Sequence, residues 1–352
     1  MIYTMSRLYK SILPTSVRSE YTENENVSFR LSFEGQQILP NSVRLCGNLQ
    51  VTDLVEDTSY DALTGIHGLW SACSVETDRK GMVEHLRALP RWMKMNFQTL
   101  QNDTETVSRA SNVTSLCLAR DNQTKNFMDG VKDLEYLPFA SRINCCLNNT
   151  ANPIPWSKTG AVTLNVRLSS MNQFLQNAGA TTEYKLTDLQ LWYQTEPESS
   201  KAPVQANSYV MVKHTLDSQQ SSINTKIPEN VSSVSCSFIL ASRENNNSYN
   251  NNECALLPGV ERVQFTFDDS QSLVKFNLKS QEEILFNYLA SMGSRGINNI
   301  RLSNLPDQKR GYGIGLNFFR PVSQSIGFEC ISSVDNTTPT SMYMYFKRVV
   351  SF

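Results

Sequence analysis

The sequence is short of charge. Lys, Arg, Asp and Glu make up 18% of its 352 residues, against about 25% in an ordinary globular domain. The formal net charge is −1. That excludes a polycationic nucleic-acid binder and a polyacidic tail protein, while leaving room for a local basic patch. Polarity comes instead from neutral side chains: 41 Ser, 32 Asn and 25 Thr. No window approaches the ~18 apolar residues of a membrane-spanning helix. The opening MIYTMSRLYKSILPTSVRSE lacks the apolar core and small-residue cleavage site of a secretory signal, so the chain is expected to be made and kept, or assembled, in the cytosol. At about 150 residues per domain, the length fits two domains or one large β-domain. Either buries a core without a disulfide or metal staple.

Paired metal ligands are missing too. Cys46, Cys73, Cys117, Cys145, Cys146, Cys236, Cys254 and Cys330 are scattered, with no C-x-x-C. A zinc site needs ligands that one turn can present together, and the adjacent Cys145 and Cys146 do not suit one ion. The cysteines are expected to be free, buried thiols. His67, His85 and His214 stand far apart, which excludes a histidine-cluster metal site. There is no G-x-S-x-G, Walker loop or G-x-G-x-x-G. The run Gly311-Tyr312-Gly313-Ile314-Gly315 continues an apolar alternation and reads as a strand with close backbone approach. Asp268-Asp269 ends a strand and Glu282-Glu283 opens a helix. Eight N-x-[ST] sequons are about what this composition gives by chance. No catalytic residue, cofactor or metal is expected.

What is present is short alternating segments bounded by Gly, Pro, Asn or Ser, the pattern of half-buried strands. They run over 27–33, 43–51, 161–168, 186–193, 209–216, 234–240, 263–267, 273–278, 313–319, 326–331 and 342–350. Helix signals are few. Ser280 with Glu283 forms a capping box ahead of an apolar face on Ile284, Leu285, Tyr288, Leu289 and Met292, and Gly293 suits the C-terminal cap. A weaker helix is expected from Arg79 to Leu89, stopped by Pro90. Residues 79–155 read as a long polar insertion of loops with one or two helices. Arg243–Glu253, RENNNSYNNNE, reads as a solvated loop tip.

The halves match in outline. Val27–Phe33 then Cys46 corresponds to Tyr209–Leu216 then Cys236. Gly160–Arg167 corresponds to Gly313–Arg320, and LQLWYQT to MYMYFKRVV. Each half is then a β-sandwich, because an amphipathic sheet must bury one face against another. An eight-stranded jelly roll suits this size. The expected organisation is all-β: an N-terminal arm (1–20), a first jelly roll (21–196) with the 79–155 insertion, a linker (197–206) and a second jelly roll (207–352), with long loops and one or two short helices.

Ile154–Gly160 leading into VTLNVRL, then Tyr184–Tyr193, resembles the last strands of the first roll in double jelly-roll major capsid proteins. This is the lineage of tectiviruses, corticoviruses and adenovirus hexon. GYGIGLNFFRPVSQSIGFECISS followed by SMYMYFKRVVSF resembles the last strands of their second roll. The resemblance implies homotrimeric, pseudo-hexagonal capsomers in an icosahedral virion, assembled in the host cytoplasm. Its implied partners are itself, neighbouring capsomers, and penton and minor capsid proteins. The arm carries Arg7, Lys10 and Arg18 and no acid through residue 19. Met5, Leu8 and Ile12 can share a helix face, which suggests contact with an internal membrane or the packaged genome. The competing reading is a two-domain β-sandwich adhesin or lectin-like spike protein with its contacts on loops such as Arg243–Glu253. A glycoside hydrolase would need a carboxylate pair in an aromatic cleft, and no pair stands out.

Overall fold

Alternating apolar residues become paired strands along the chain. The computed structural model describes residues 7–55, 58–60, 64–98, 134–199, 203–217, 222–249, 251–252, 260–269, 272–293, 313–322, 325–332 and 338–352. Of these, 7–90, 134–209 and 349–352 form one compact unit, and 91–98 and 210–348 another.

The first roll contains β1 (Leu8–Ile12), β2 (Asn26–Leu31), β3 (Gln36–Ile38), β4 (Arg44–Thr52), β5 (Ser59–Tyr60), β6 (Trp70–Thr77), β7 (Gly81–Arg87), β8 (Leu134–Arg142), β9 (Ile154–Pro155), β10 (Val162–Leu168), β11 (Leu175–Gln176) and β12 (Glu183–Pro197). One sheet runs β8-β4-β12, with β1 and β3 on the far edge of β12 and β9 beyond β3. The facing sheet runs β7-β6-β10-β2. The chain therefore alternates between sheets: β1 in one, β2 in the other, β4 back, β6 and β7 across, β8 back, β10 across, β12 back. Eight strands interleaved this way form a jelly roll.

The second roll contains β13 (Gln205–Leu216), β14 (Ser222–Lys226), β15 (Val231–Leu240), β16 (Val260–Asp269), β17 (Ser272–Leu278), β18 (Ile314–Val322), β19 (Ser325–Ser332) and β20 (Thr340–Ser351). Its sheets run β18-β15-β20-β13 and β14-β19-β16-β17, which repeats the interleaving strand for strand. The duplication is thus real in outline, and the strand matches shift. β13 corresponds to β1, not to the Val27–Phe33 strand, whose counterpart is β14. β18 corresponds to β8, and β10 to β19. Cys46 lies on the half-exposed outer side of β4, whereas Cys236 is fully buried in β15, so that pair differs in face.

Each core is the meeting of two inner faces. In the first roll Trp70 of β6 packs on Phe139 of β8 (6.0 Å between centroids), over Phe29, Leu49, Leu164 and Leu191, all fully buried. In the second, Phe328 of β19 touches Phe238 of β15 (6.2 Å) and Phe265 of β16 (5.4 Å). Each such side chain contributes about 1.5–3 kcal/mol on leaving water.

The helix expected over Arg79–Leu89 is a strand. Asp78–Lys80 make a tight turn, Gly81 takes φ +69, and β7 folds back on β6 with Thr77 opposite Gly81. The helix begins where that one was expected to stop: α1 spans Leu89–Gln98. Pro90 lies in its first turn, where a missing N–H costs nothing. Its counterpart in the second roll is α2 (Gln281–Ser291), which likewise follows its roll's fifth strand. Its capping box is formed as expected: Ser280 Oγ accepts from Glu283 N, and Glu283 accepts from the Ser280 backbone. Gly293 closes it at φ +88.

Gly313 and Gly315 allow the close approach that their sequence suggested. A Cβ on Gly313 would sit 2.0 Å from the Cys236 carbonyl oxygen. One on Gly315 would sit 2.1 Å from Ser291 Oγ at the end of α2. Gly315→Val is expected to lower unfolding stability by about 1–3 kcal/mol, read from the denaturant midpoint, with α2 displaced.

Candidate functional site: the outer sheet faces

The outer face of the second roll's β18-β15-β20 sheet is covered. Ser233 and Ser235 of β15 point to α2: Ser233 Oγ donates to the Ser291 carbonyl (3.0 Å), and Ser235 and Ser291 hydroxyls lie 2.7 Å apart. Beside them Tyr343 and Tyr345 of β20 are 8% and 1% exposed. Trp92 of α1 packs on Tyr345 at 5.3 Å, and the Arg91 guanidinium lies 4.5 Å over the Tyr343 ring. Glu244 completes the cover. It accepts from Lys213 Nζ (2.8 Å), Ser341 Oγ (2.7 Å) and the Tyr343 hydroxyl.

The corresponding face of the first roll is bare of helices among the described residues. One row crosses four strands: Arg142 of β8, Arg44 of β4, Trp192 of β12 and Ser11 of β1. Trp192 is 50% exposed, and Tyr9, next outward on β1, is 78% exposed. Leu8, Leu13 and Val17 are also exposed. Two exposed aromatic rings on one outer face beside a guanidinium row are the composition of a protein contact surface.

The three arm cations are not brought together. Residues 8–12 form a strand against 191–195 of β12, not the helix expected. Arg7 is exposed just ahead of it, while Lys10 is half-buried opposite Tyr193. Arg18 is committed elsewhere: its Nη1 donates to Glu25 Oε1 at 2.7 Å. Met5 lies outside the described residues.

Of the Asn-rich loop, 243–249 and 251–252 are described, and it is folded on itself rather than a free tip. Asn251 and Asn252 are buried. Asn251 Oδ1 accepts from Asn245 N (2.5 Å), and its Nδ2 donates to the carbonyls of Asn246 (3.1 Å) and Tyr249 (3.4 Å). The Arg91 guanidinium donates to the Asn251 carbonyl. Single-sequence reading missed this plug because one Asn among many carries no mark of burial.

Cys73, Cys145, Cys146, Cys236 and Cys330 are buried and Cys46 half-buried, all as free thiols. Burial pushes Cys145 up to about 12 and Cys46 up to about 11, so these thiols are poor nucleophiles. Cys117 and Cys254 lie outside the described residues. Sequence reading also passed over Glu84, which is fully buried on the inner face of β7 opposite Val75. Its Oε2 accepts from Cys146 N (2.5 Å) and its Oε1 from Tyr209 N (2.9 Å). Burial raises it from 4.5 to about 6.

Two complete eight-stranded rolls in one chain define a double jelly-roll protein, the fold of major capsid proteins. No family model and no curated protein matches the sequence. Solved structures match in fold. The Faustovirus major capsid protein superposes with TM-score 0.64 at 10% identity, over 100% of this chain and 91% of its own. VP54 of PBCV-1, in a structure fitted into a reconstruction of the virophage Sputnik, gives 0.62 at 9%, over 100% and 96%. The mavirus major capsid protein gives 0.55 at 7%, over 99% and 88%.

Asn251→Ala removes three hydrogen bonds from a buried site and is expected to cost about 1–3 kcal/mol in a denaturant titration. Ser248→Ala, at an exposed position of the same loop, should stay within about 0.5 kcal/mol of wild type.

Proposed function

We propose that this chain is the major capsid protein of an icosahedral virion and acts by assembly alone, with no catalytic role. The observation that carries the reading is the tandem repetition of one eight-strand interleaving, β1 to β12 and again β13 to β20, over nearly the whole length of the capsid proteins it resembles. Two similar rolls per chain, taken three times, give six comparable walls. A homotrimer of this kind presents a pseudo-hexagonal outline that tiles by symmetric contacts. Further partners would be neighbouring capsomers and penton and minor capsid proteins. The bare face around Trp192 and Tyr9 is the part of the first roll best suited to meet another copy. The adhesin reading loses support at the Asn-rich loop, where the Asn251 side chain is spent on closing the loop itself.

The arm fits a contact with an anionic interior surface, an internal membrane or the packaged genome, through Arg7 and Lys10. Arg18 already pairs with Glu25, which competes with that role.

Light scattering of the purified chain is expected to give about three times 39.8 kDa. Trp192→Ser should lower that mass while leaving the unfolding midpoint of the chain within about 0.5 kcal/mol. A monomer that binds glycans on an array would overturn the capsid reading in favour of the adhesin. For the arm, Arg7→Ala with Lys10→Ala should weaken binding to anionic vesicles or duplex DNA and flatten its salt dependence. Unchanged binding to both would remove the arm from that role.

A further inference from the structure

β1 is held by its ladder alone. Residues 8–12 pair with 191–195 of β12, and none of the five is buried. β13, in the same place of the second roll, buries Ala206, Ser208 and Leu216. Among the described residues, no side chain from Arg7 to Leu13 makes a hydrogen bond or an ion pair. A short ladder without buried side chains is marginal, because ordering each residue costs about as much as its hydrogen bond returns. Firm attachment begins only at Pro14, which is buried. Thr15 N and Oγ both donate to the Ser28 carbonyl of β2 (2.7 and 2.9 Å), and the Tyr21 hydroxyl donates to the Ser16 carbonyl (2.7 Å). Leu13 precedes a proline, which disfavours helical backbone, and no turn separates β1 from Pro14. The strand therefore projects from its anchor. It also carries uncovered apolar groups. Among the described residues ten large hydrophobic side chains are exposed, and five of them are Leu8, Tyr9, Leu13 and Val17 of the arm and Trp192 of the strand it pairs with.

We propose that β1 is exchanged between copies of this chain. Residues 8–12 of each copy pair with 191–195 of a neighbouring copy, in the register seen within one chain, and Leu13-Pro14 is the hinge. The occupant is a second copy because the edge of β12 is already matched to this strand. The ladder carries over unchanged, and only the hinge moves, which makes exchange a low-cost route to association. The acceptor segment 191–195, LWYQT, holds no charge that would repel Lys10. A copy seated close enough to supply its arm also covers Leu8, Tyr9, Leu13 and Trp192, which the isolated chain leaves in water. Donor arm and acceptor edge are different patches, so the contact is heterologous, and copies that pass their arms in one direction close into a ring when the rotation permits. The inference rests on the reading of the bare face as a contact between copies, and it names the segment that makes the contact.

Tyr9 and Gln194 are partners in the ladder, and opposed residues of an antiparallel pair lie within disulfide reach. The full chain carrying both Tyr9→Cys and Gln194→Cys is oxidised with oxidised glutathione and run on a denaturing gel without reductant. Covalent products of two and three chains are expected, absent from either single variant. A disulfide confined to one chain overturns the exchange. Light scattering of the same sample separates this outcome from the fate of the capsid reading. A three-chain mass with disulfides only inside each chain removes the exchange and leaves the capsid reading standing. A monomeric mass also removes the exchange, and the glycan array then decides between capsid and adhesin. Should the two cysteines not pair at all, the chain lacking residues 1–12 replaces the double variant. Its mass is expected to fall toward one chain, and an unchanged three-chain mass overturns the exchange.

Discussion

Both rolls depend on a strand that arrives last. β12 lies between β1 and β4, and β20 between β13 and β15. Until that strand is in place, β1 has no strand partner among the described residues, and β4 and β15 each have an open edge. The pairing joins residues far apart in sequence, as with Leu8 opposite Thr195. Closing such long loops carries an entropic cost before any contact repays it. The repayment is concentrated in the same strands. Leu186, Leu191 and Tyr193 of β12, and Met342, Met344 and Phe346 of β20, are almost wholly buried and complete the inner faces that pack across each sandwich.

Two of the interruptions in the ladders have local causes. Where β12 crosses β4, the register shifts between Thr187 and Gln190, and Asp188 takes φ +51. The bulge fits because Gly47 opposite it has no side chain; a Cβ there would lie 2.9 Å from the Thr187 carbonyl oxygen. Where β6 meets β7, the register shifts between Val75 and Glu76. Val83 and Glu84 are then both buried in sequence, which breaks the simple in-out alternation. Bulges re-aim side chains without breaking the sheet, and here one accompanies the inward placement of a carboxylate.

The local parts of the fold were legible in the sequence. Alternation marks β2, β4, β10, β12, β15 and β20, since one buried face imposes period two. The capping box and Gly293 mark α2 at both ends, because caps are read within a few residues. The non-local parts were not. β1 is five residues long with Leu8 and Tyr9 exposed, so it shows no alternation and is defined only by β12. β7 carries Glu84 and Leu86 on one face with Val83 beside them, a run that suits a helix as well as a bulged strand; the turn at Gly81 decides. The same limit applies to the surfaces. Arg7, Lys10 and Arg18 look like one basic arm in sequence. Glu25 divides them in space, while Arg44, Arg142 and Trp192 come together only through strand pairing.

The composition bears on assembly through the cost of drying a surface. Charged side chains must be paired and hydrogen-bonded to leave water without a large penalty, whereas a hydroxyl or amide needs only one or two partners. The second roll shows how this chain covers a sheet face: serines of β15 bond to Ser291, tyrosines of β20 stack under Trp92 and Arg91, and one carboxylate, Glu244, is shared among three donors. The first roll presents the same kind of face, with Trp192 in place of the covered tyrosines, and leaves it uncovered among the described residues. A second molecule that covers it needs what Trp92 of α1 supplies in the second roll: an aromatic ring to stack. It need not bring an acid for every cation, since Arg142 already donates to the Asn148 carbonyl at 3.2 Å. A chain rich in Ser, Asn and Thr and poor in charge can meet its neighbours on such faces with few buried ions to satisfy. The low charge content and the bare outer face are therefore two expressions of the same design.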